Sequence, residues 1–108
     1  FTGLHHDKNG FPTEEIETCR KLIERLDNKV ELHKDELESY EEFELEDAEV
    51  LIIAYGSVSL AVKEAIRHLR KDGIKAGLFR PITMWPSPDV KIKEYTDKIK
   101  NVLCIELN

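Results

Sequence analysis

Long apolar runs are missing from this chain: no segment approaches the ~20 residues that a membrane-spanning helix requires. A basic-then-apolar leader is missing from its start as well. Basic residues are in short supply, 16 Lys and Arg against 22 Asp and Glu, for a formal net charge of −6. That balance argues against a nucleic-acid backbone or an anionic membrane as partner. Cysteine is scarce too. Cys19 and Cys104 stand apart with no Cys-x-x-Cys pair, so neither a zinc ribbon nor an iron–sulfur site is encoded in the 108 residues. The expectation is two buried, reduced thiols in a cytoplasmic protein. Three spaced glycines of the dinucleotide kind and a Gly-Lys-Ser/Thr phosphate loop are both absent. No nucleophile–base pair is visible in the order of residues.

What remains is one small domain's worth of alternating patterns. Residues 1–12 hold Gly3, Asn9-Gly10 and Pro12 and read as an irregular lead-in with a turn at Asn9-Gly10. Thr13 is positioned to cap a helix whose apolar stripe is Ile16, Cys19, Leu22, Ile23, Leu26 and Val30. The stretch from Asp35 to Glu49 carries nine acids and no base, the mark of a solvated connection touched down only by Tyr40, Phe43 and Leu45.

From there strand and helix alternate. Val50–Tyr55 is a continuous apolar run suited to a strand covered on both faces. Gly56-Ser57 turns the chain into a helix with Val58, Val62, Ala65, Ile66 and Leu69 inward, and Gly73 stops it. Ile74–Phe79 is the second strand. A helix from Ser87 or Pro88 through Lys100 turns Ile92, Tyr95 and Ile99 inward, and Val102–Ile105 is a third strand, expected to be buried. Two strand–helix–strand units imply parallel strands with right-handed crossovers. The expected fold is α/β, a three-layer α/β/α arrangement with a mostly parallel sheet. Residues 1–46 form the lead-in and connection, and residues 47–108 the α/β domain. So apolar a last strand should have a neighbour, which suggests truncation beyond Asn108.

Candidate sites are few. Gly56-Ser57 lies where backbone N–H groups and a helix dipole can hold an anion, although a plain turn capped by Ser57 or Ser59 explains it as well. His5-His6-Asp7 looks like a metal cluster, but adjacent side chains rarely converge on one ion, so a packing or hydrogen-bonding role is expected. The stiffest feature is Arg80-Pro81-Ile82-Thr83-Met84-Trp85-Pro86-Ser87-Pro88. Its prolines fix the backbone, and it carries the chain's only Met and only Trp at a strand end. Arg80, Met84 and Trp85 are expected to make contacts between domains or subunits.

Four stretches in order resemble one family. Thr2-Gly3-Leu4-His5-His6-Asp7-Lys8-Asn9-Gly10-Phe11-Pro12 is similar to the Thr-Gly-x-Glu-His-Asp-x-x-Gly-x-Pro segment of 2-oxoacid:ferredoxin oxidoreductase alpha subunits. Asp47–Ile52 with Tyr55-Gly56-Ser57, the Arg80–Pro86 connection and Glu106-Leu107-Asn108 resemble successive parts of that family's transketolase C-terminal-like domain. His5 stands where the family often has Glu, and Ser87 where it often has Phe.

The resemblance implies a decarboxylating enzyme that uses thiamine diphosphate, magnesium, coenzyme A, iron–sulfur clusters and ferredoxin. It places all of those cofactors in parts of the complex outside this chain. It implies a packing role within a hetero-oligomer, against other alpha-subunit domains and a beta subunit, with His6, Asp7, Arg80, Met84 and Trp85 as contact residues. Two other readings stay open: the matching domain of a 2-oxoacid dehydrogenase decarboxylase component, and a free-standing module binding an anion or nucleotide at Gly56-Ser57.

Overall fold

The computed structural model describes residues 5–106. Thr2, Gly3 and Leu4 of the lead-in motif and Leu107 and Asn108 of the last one lie outside the described residues. The chain divides into two compact units, Phe1–Glu36 and Leu37–Asn108.

In the first unit a turn leads into helix α1, Ile16–Glu31. Asp7 organises the turn. Its Oδ1 accepts the N–H groups of Asn9 (2.8 Å) and Phe11 (3.0 Å), and Gly10 takes φ +88°, which favours glycine. Thr13 Oγ1 accepts the N–H of Glu15 at 3.2 Å, but Glu15 itself is the N-cap residue and supplies no side-chain cap. The apolar stripe of α1 is not buried within its unit: Ile16 is 84% exposed and Leu26 52%. A short helix, α2, spans Lys34–Leu37 at the division.

The second unit is built on a four-stranded sheet of order β1-β3-β2-β4, from Tyr40–Phe43, Val50–Ala54, Ala76–Pro81 and Asn101–Ile105. β2 runs parallel to β3, with Val50 opposite Ala76, and parallel to β4, with Ala54 opposite Ile105. Helices α3 (Val58–Lys71) and α4 (Asp89–Lys98) make the two connections. Ile52, Ala54, Ala76 and Leu78 pack with Val62 and Ile66 of α3. Leu51 and Phe79 pack on the other face with Leu45, Ile99 and, from α4, Ile92 and Tyr95. Three layers result, because both faces of β2 and β3 are apolar and each face has a helix to meet.

Three expectations change. The acidic stretch is not a plain connection: β1 pairs antiparallel with β3, Glu41 opposite Arg80 and Phe43 opposite Leu78. Tyr40 stacks on Phe79, ring centroids 5.2 Å apart, and the rings of Phe79 and Tyr95 follow at 5.8 Å. The compact unit that contains β1 starts at Leu37.

Second, β4 is an edge strand rather than a buried one, with Leu103 50% exposed. Cys104 upon it is exposed and Cys19 half-buried, so neither thiol is buried. Third, Ala65 faces outward, and the strand begins at Ala76 because Ile74 is 45% exposed at the end of the preceding turn.

The turn after β1 is tight. Glu44 takes φ +55°, and its carbonyl oxygen lies 2.5 Å from where a Cβ on Gly77 would sit. Arg70, in the last turn of α3, holds this turn in place. Its Nη2 donates to Glu44 O (2.6 Å) and Asp47 Oδ1 (2.8 Å), and its Nε to Ala76 O (2.8 Å). The guanidinium keeps the Asp47 carboxyl below the ordinary carboxylate range.

Candidate functional site

Parallel strands of one sheet deliver their outgoing connections to one end, and open α/β sheets bind ligands and partners there. Here that end gathers Tyr55-Gly56-Ser57 after β2, Ile82–Pro88 after β3 and Glu106 after β4. Gly56 takes φ +61°. Ser57 is the N-cap residue of α3 yet makes no side-chain cap bond; instead Ser59, fully buried, donates to the Gly56 carbonyl at 2.7 Å. The turn is closed by its own residues.

Tyr55 and Glu106 meet across adjacent strands, the phenol donating to Oε1 at 2.5 Å. Hydrogen bonding to that carboxylate, with a smaller contribution from burial, pushes the Tyr55 pKa up. The sequence reading missed this pair, whose members are 51 positions apart. Only the register of two parallel strands could have joined them.

The connection after β3 is fixed at both ends. Ile82 N–H (2.9 Å) and Thr83 N–H (3.0 Å) both donate to Ser39 O, and Thr83 Oγ1 donates to Leu37 O at 2.7 Å. Pro81, Pro86 and Pro88 are buried, and the Trp85–Pro86 peptide is cis. Between these anchors Ile82, Met84 and Trp85 stand out from the surface, Trp85 69% exposed. Trp85 therefore does not close over the domain's own core.

Arg80 behaves differently from its two neighbours in the motif. Its Nη1 donates to Glu41 Oε2 at 3.0 Å, and Lys63 of α3 takes the other carboxylate oxygen. Lys63 first, then Arg80, holds the Glu41 carboxyl below its ordinary range. Arg80 Nε is buried with no partner. The guanidinium ties β1 to β3, where the loop's apolar side chains are free.

His6 and Asp7 lie in the first unit. His6 Nδ1 donates to the Asp7 carbonyl at 2.8 Å, and both residues line a cavity of about 500 Å³ beside α1. A second cleft, of about 760 Å³, lies in the other unit between residues 44–48 and the end of α4. Burial first, then a hydrogen bond with Glu42, raises the pKa of Tyr95 at its wall. Among the described residues no three His, Cys, Asp or Glu side chains gather as a metal site. Cys19 and Cys104 sit in different units, and neither has further thiols beside it, so these residues do not fit an iron–sulfur cluster.

Residues 48–108 match the model of the pyruvate:ferredoxin oxidoreductase core domain II family. The chain belongs to this family. Along its whole length it is 43% identical to a 2-oxoglutarate synthase subunit KorA of Methanocaldococcus jannaschii, and it spans 29% of that relative. Over 64% of its length it is 42% identical to a ketoisovalerate oxidoreductase subunit VorB of Methanothermobacter marburgensis, of which it covers 20%.

Among solved structures it is similar to a 2-oxoglutarate:ferredoxin oxidoreductase from Magnetococcus marinus with 2-oxoglutarate, coenzyme A and succinyl-CoA bound. The TM-score is 0.79 at 29% identity, covering 99% of this chain and 19% of that one. The core domain II chain thus spans less than a third of the relatives it matches. Among the described residues no helix is long and apolar enough to cross a membrane.

Proposed function

We propose that this chain is the core domain II region of the alpha subunit of a 2-oxoacid:ferredoxin oxidoreductase, with 2-oxoglutarate as the oxoacid. The observation that carries the reading is the 43% identity to a 2-oxoglutarate synthase subunit over the entire chain. In such an enzyme the oxoacid loses carbon dioxide, its acyl group passes to coenzyme A, and the released electrons reduce ferredoxin. Thiamine diphosphate, magnesium and iron–sulfur clusters would be held elsewhere in the complex.

The chain's own part is packing. Met84 and Trp85, with Ile82 beside them, are the contacts offered to other alpha-subunit domains or to a beta subunit. Large apolar side chains on a stiff, anchored loop suit an interface better than a reaction centre. Arg80 supports that loop from behind through Glu41. His6 and Asp7 contribute through the shape of the lead-in turn.

The test is an anaerobic assay of the full-length subunit co-expressed with its partner subunit, following coenzyme A-dependent ferredoxin reduction with 2-oxoglutarate, pyruvate and 3-methyl-2-oxobutanoate. The expected result is turnover of 2-oxoglutarate in preference to the others, and none by the 108-residue chain alone. Turnover of pyruvate or the branched oxoacid only would overturn the substrate, and turnover by the isolated chain would overturn the packing role.

A further inference from the structure

We propose that β4 joins two copies of this chain, paired antiparallel edge to edge about a two-fold axis at Leu103. β4 is the last strand in the sheet order and pairs only with β2. Its outer row of backbone N–H and C=O groups therefore has no strand beside it. The polar side chains at its two ends reach back to the residues that flank β2. Asn101 Nδ2 donates to Glu49 O at 3.4 Å, and Glu106 Oε1 accepts the Tyr55 hydroxyl. Sheet edges are commonly blunted by a lysine, a proline or a bulge within the strand. Asn101–Ile105 has none of these, and its register with β2 runs unbroken.

The residues around the strand select the occupant. With Leu103 opposite itself, Lys100 stands opposite Glu106 of the other copy, and Glu106 opposite that copy's Lys100. Val102 then meets Cys104, and Asn101 meets Ile105. Two residues is the smallest step that keeps an antiparallel ladder. One such step sets Lys100 opposite Cys104, and the reverse step sets Glu106 opposite Val102. In-register parallel pairing sets like charge beside like.

The side chains agree with the same register, since opposite residues share a sheet face. Leu103 lies on the face of Ile52, which α3 covers, and Val102 and Cys104 lie on the face of Leu51 and Ile53. Leu103, half exposed in one copy, is covered by its own counterpart in the pair. The charge pairs are exposed, so they set register and orientation rather than supply the affinity. One strand pair is smaller than a standard interface, and the dissociation constant should be on the order of 10–100 µM. Nothing in this inference rests on the oxoacid reading.

The test is sedimentation velocity of the 108-residue chain over concentrations that bracket that value. Lys100→Glu and Glu106→Lys each put like charges opposite at both ends, and each should weaken the dimer about tenfold. The double variant restores opposite pairing and should return to within about threefold of the parent. Mixing the two single variants should likewise recover association, because each supplies what the other lacks.

Should either variant lose its fold, Leu103→Cys combined with Cys104→Ser carries the same test. Cα atoms directly opposite stand about 4.5–5.5 Å apart, within the span of a disulfide, so diamide oxidation should link two copies through position 103, read by peptide mass spectrometry. A parent that stays monomeric, single variants that associate as the parent does, no recovery in the double variant or the mixture, or no link through position 103 would each overturn the pairing.

Discussion

At one edge of the sheet β1 carries two acids among four residues; at the other, β4 is Asn-Val-Leu-Cys-Ile and mostly exposed. The acidic edge is the better secured. Glu41 is gripped by Arg80 and Lys63, Tyr40 stacks on Phe79, and Arg70 clamps the turn that follows. The apolar edge offers Val102 and Leu103 and an unpaired row of backbone groups, the surface that invites association. Composition alone misreads the acidic edge, which is paired rather than solvated. A charged strand is well placed when its charges meet partners, as Glu41 meets Arg80 and Lys63.

The sharpest way to break this contrast is to undercut β1 from below. Phe79→Ala removes the fully buried ring beneath Tyr40 and Tyr95 and should cost about 4 kcal/mol in urea unfolding. A loss under about 2 kcal/mol would mean the aromatic stack is not what holds this edge. Gly77→Ala comes next, at about 2–3 kcal/mol, since the new methyl meets a backbone carbonyl that has nowhere to go; a neutral outcome would show that the Glu44 turn yields.

Glu41→Gln should cost about 1 kcal/mol at neutral pH, given side chains that are only partly covered. Its pH signature is specific. The folded state holds the Glu41 pKa below its ordinary 4.5. The unfolded state therefore binds the proton first, so this stability is present above about pH 4.5 and lost as pH falls toward the lowered value. The variant should show a shallower acid limb; an unchanged limb argues against the pairing.

Smallest in stability is Leu103→Lys on β4, expected within about 0.5 kcal/mol of the parent. Its effect should lie in association: sedimentation velocity should show less self-association, and equal association would clear β4 of that role.

The parts legible in the sequence were those with one clean apolar pattern. Val50–Ala54 is an unbroken apolar run, and the stripe of α3 apart from Ala65, with Ile92 and Tyr95 of α4, repeats at helical spacing. β1 was hidden because each of its faces carries one aromatic and one acid, Tyr40 with Glu42 and Phe43 with Glu41, so the two-residue alternation cancels. The burial expected of β4 is not found for another reason: local apolarity does not encode strand order. At the candidate site the stiffness of 81–88 was visible from its prolines, whereas the capture of Arg80 by Glu41 depended on a strand pairing 39 positions apart.

The anchored connection after β3 also sets the terms on which a partner would meet it. Long apolar side chains usually surrender conformational freedom on binding, at about 0.5–1.5 kcal/mol for each rotamer-rich one immobilised, and a loose loop surrenders backbone freedom besides. Here two N–H groups share the Ser39 carbonyl and three prolines are buried around the tip, so the backbone ordering is complete before any encounter. A surface that received Trp85 would meet a rigid peg, and the strength of that contact would be expressed chiefly in how slowly it lets go.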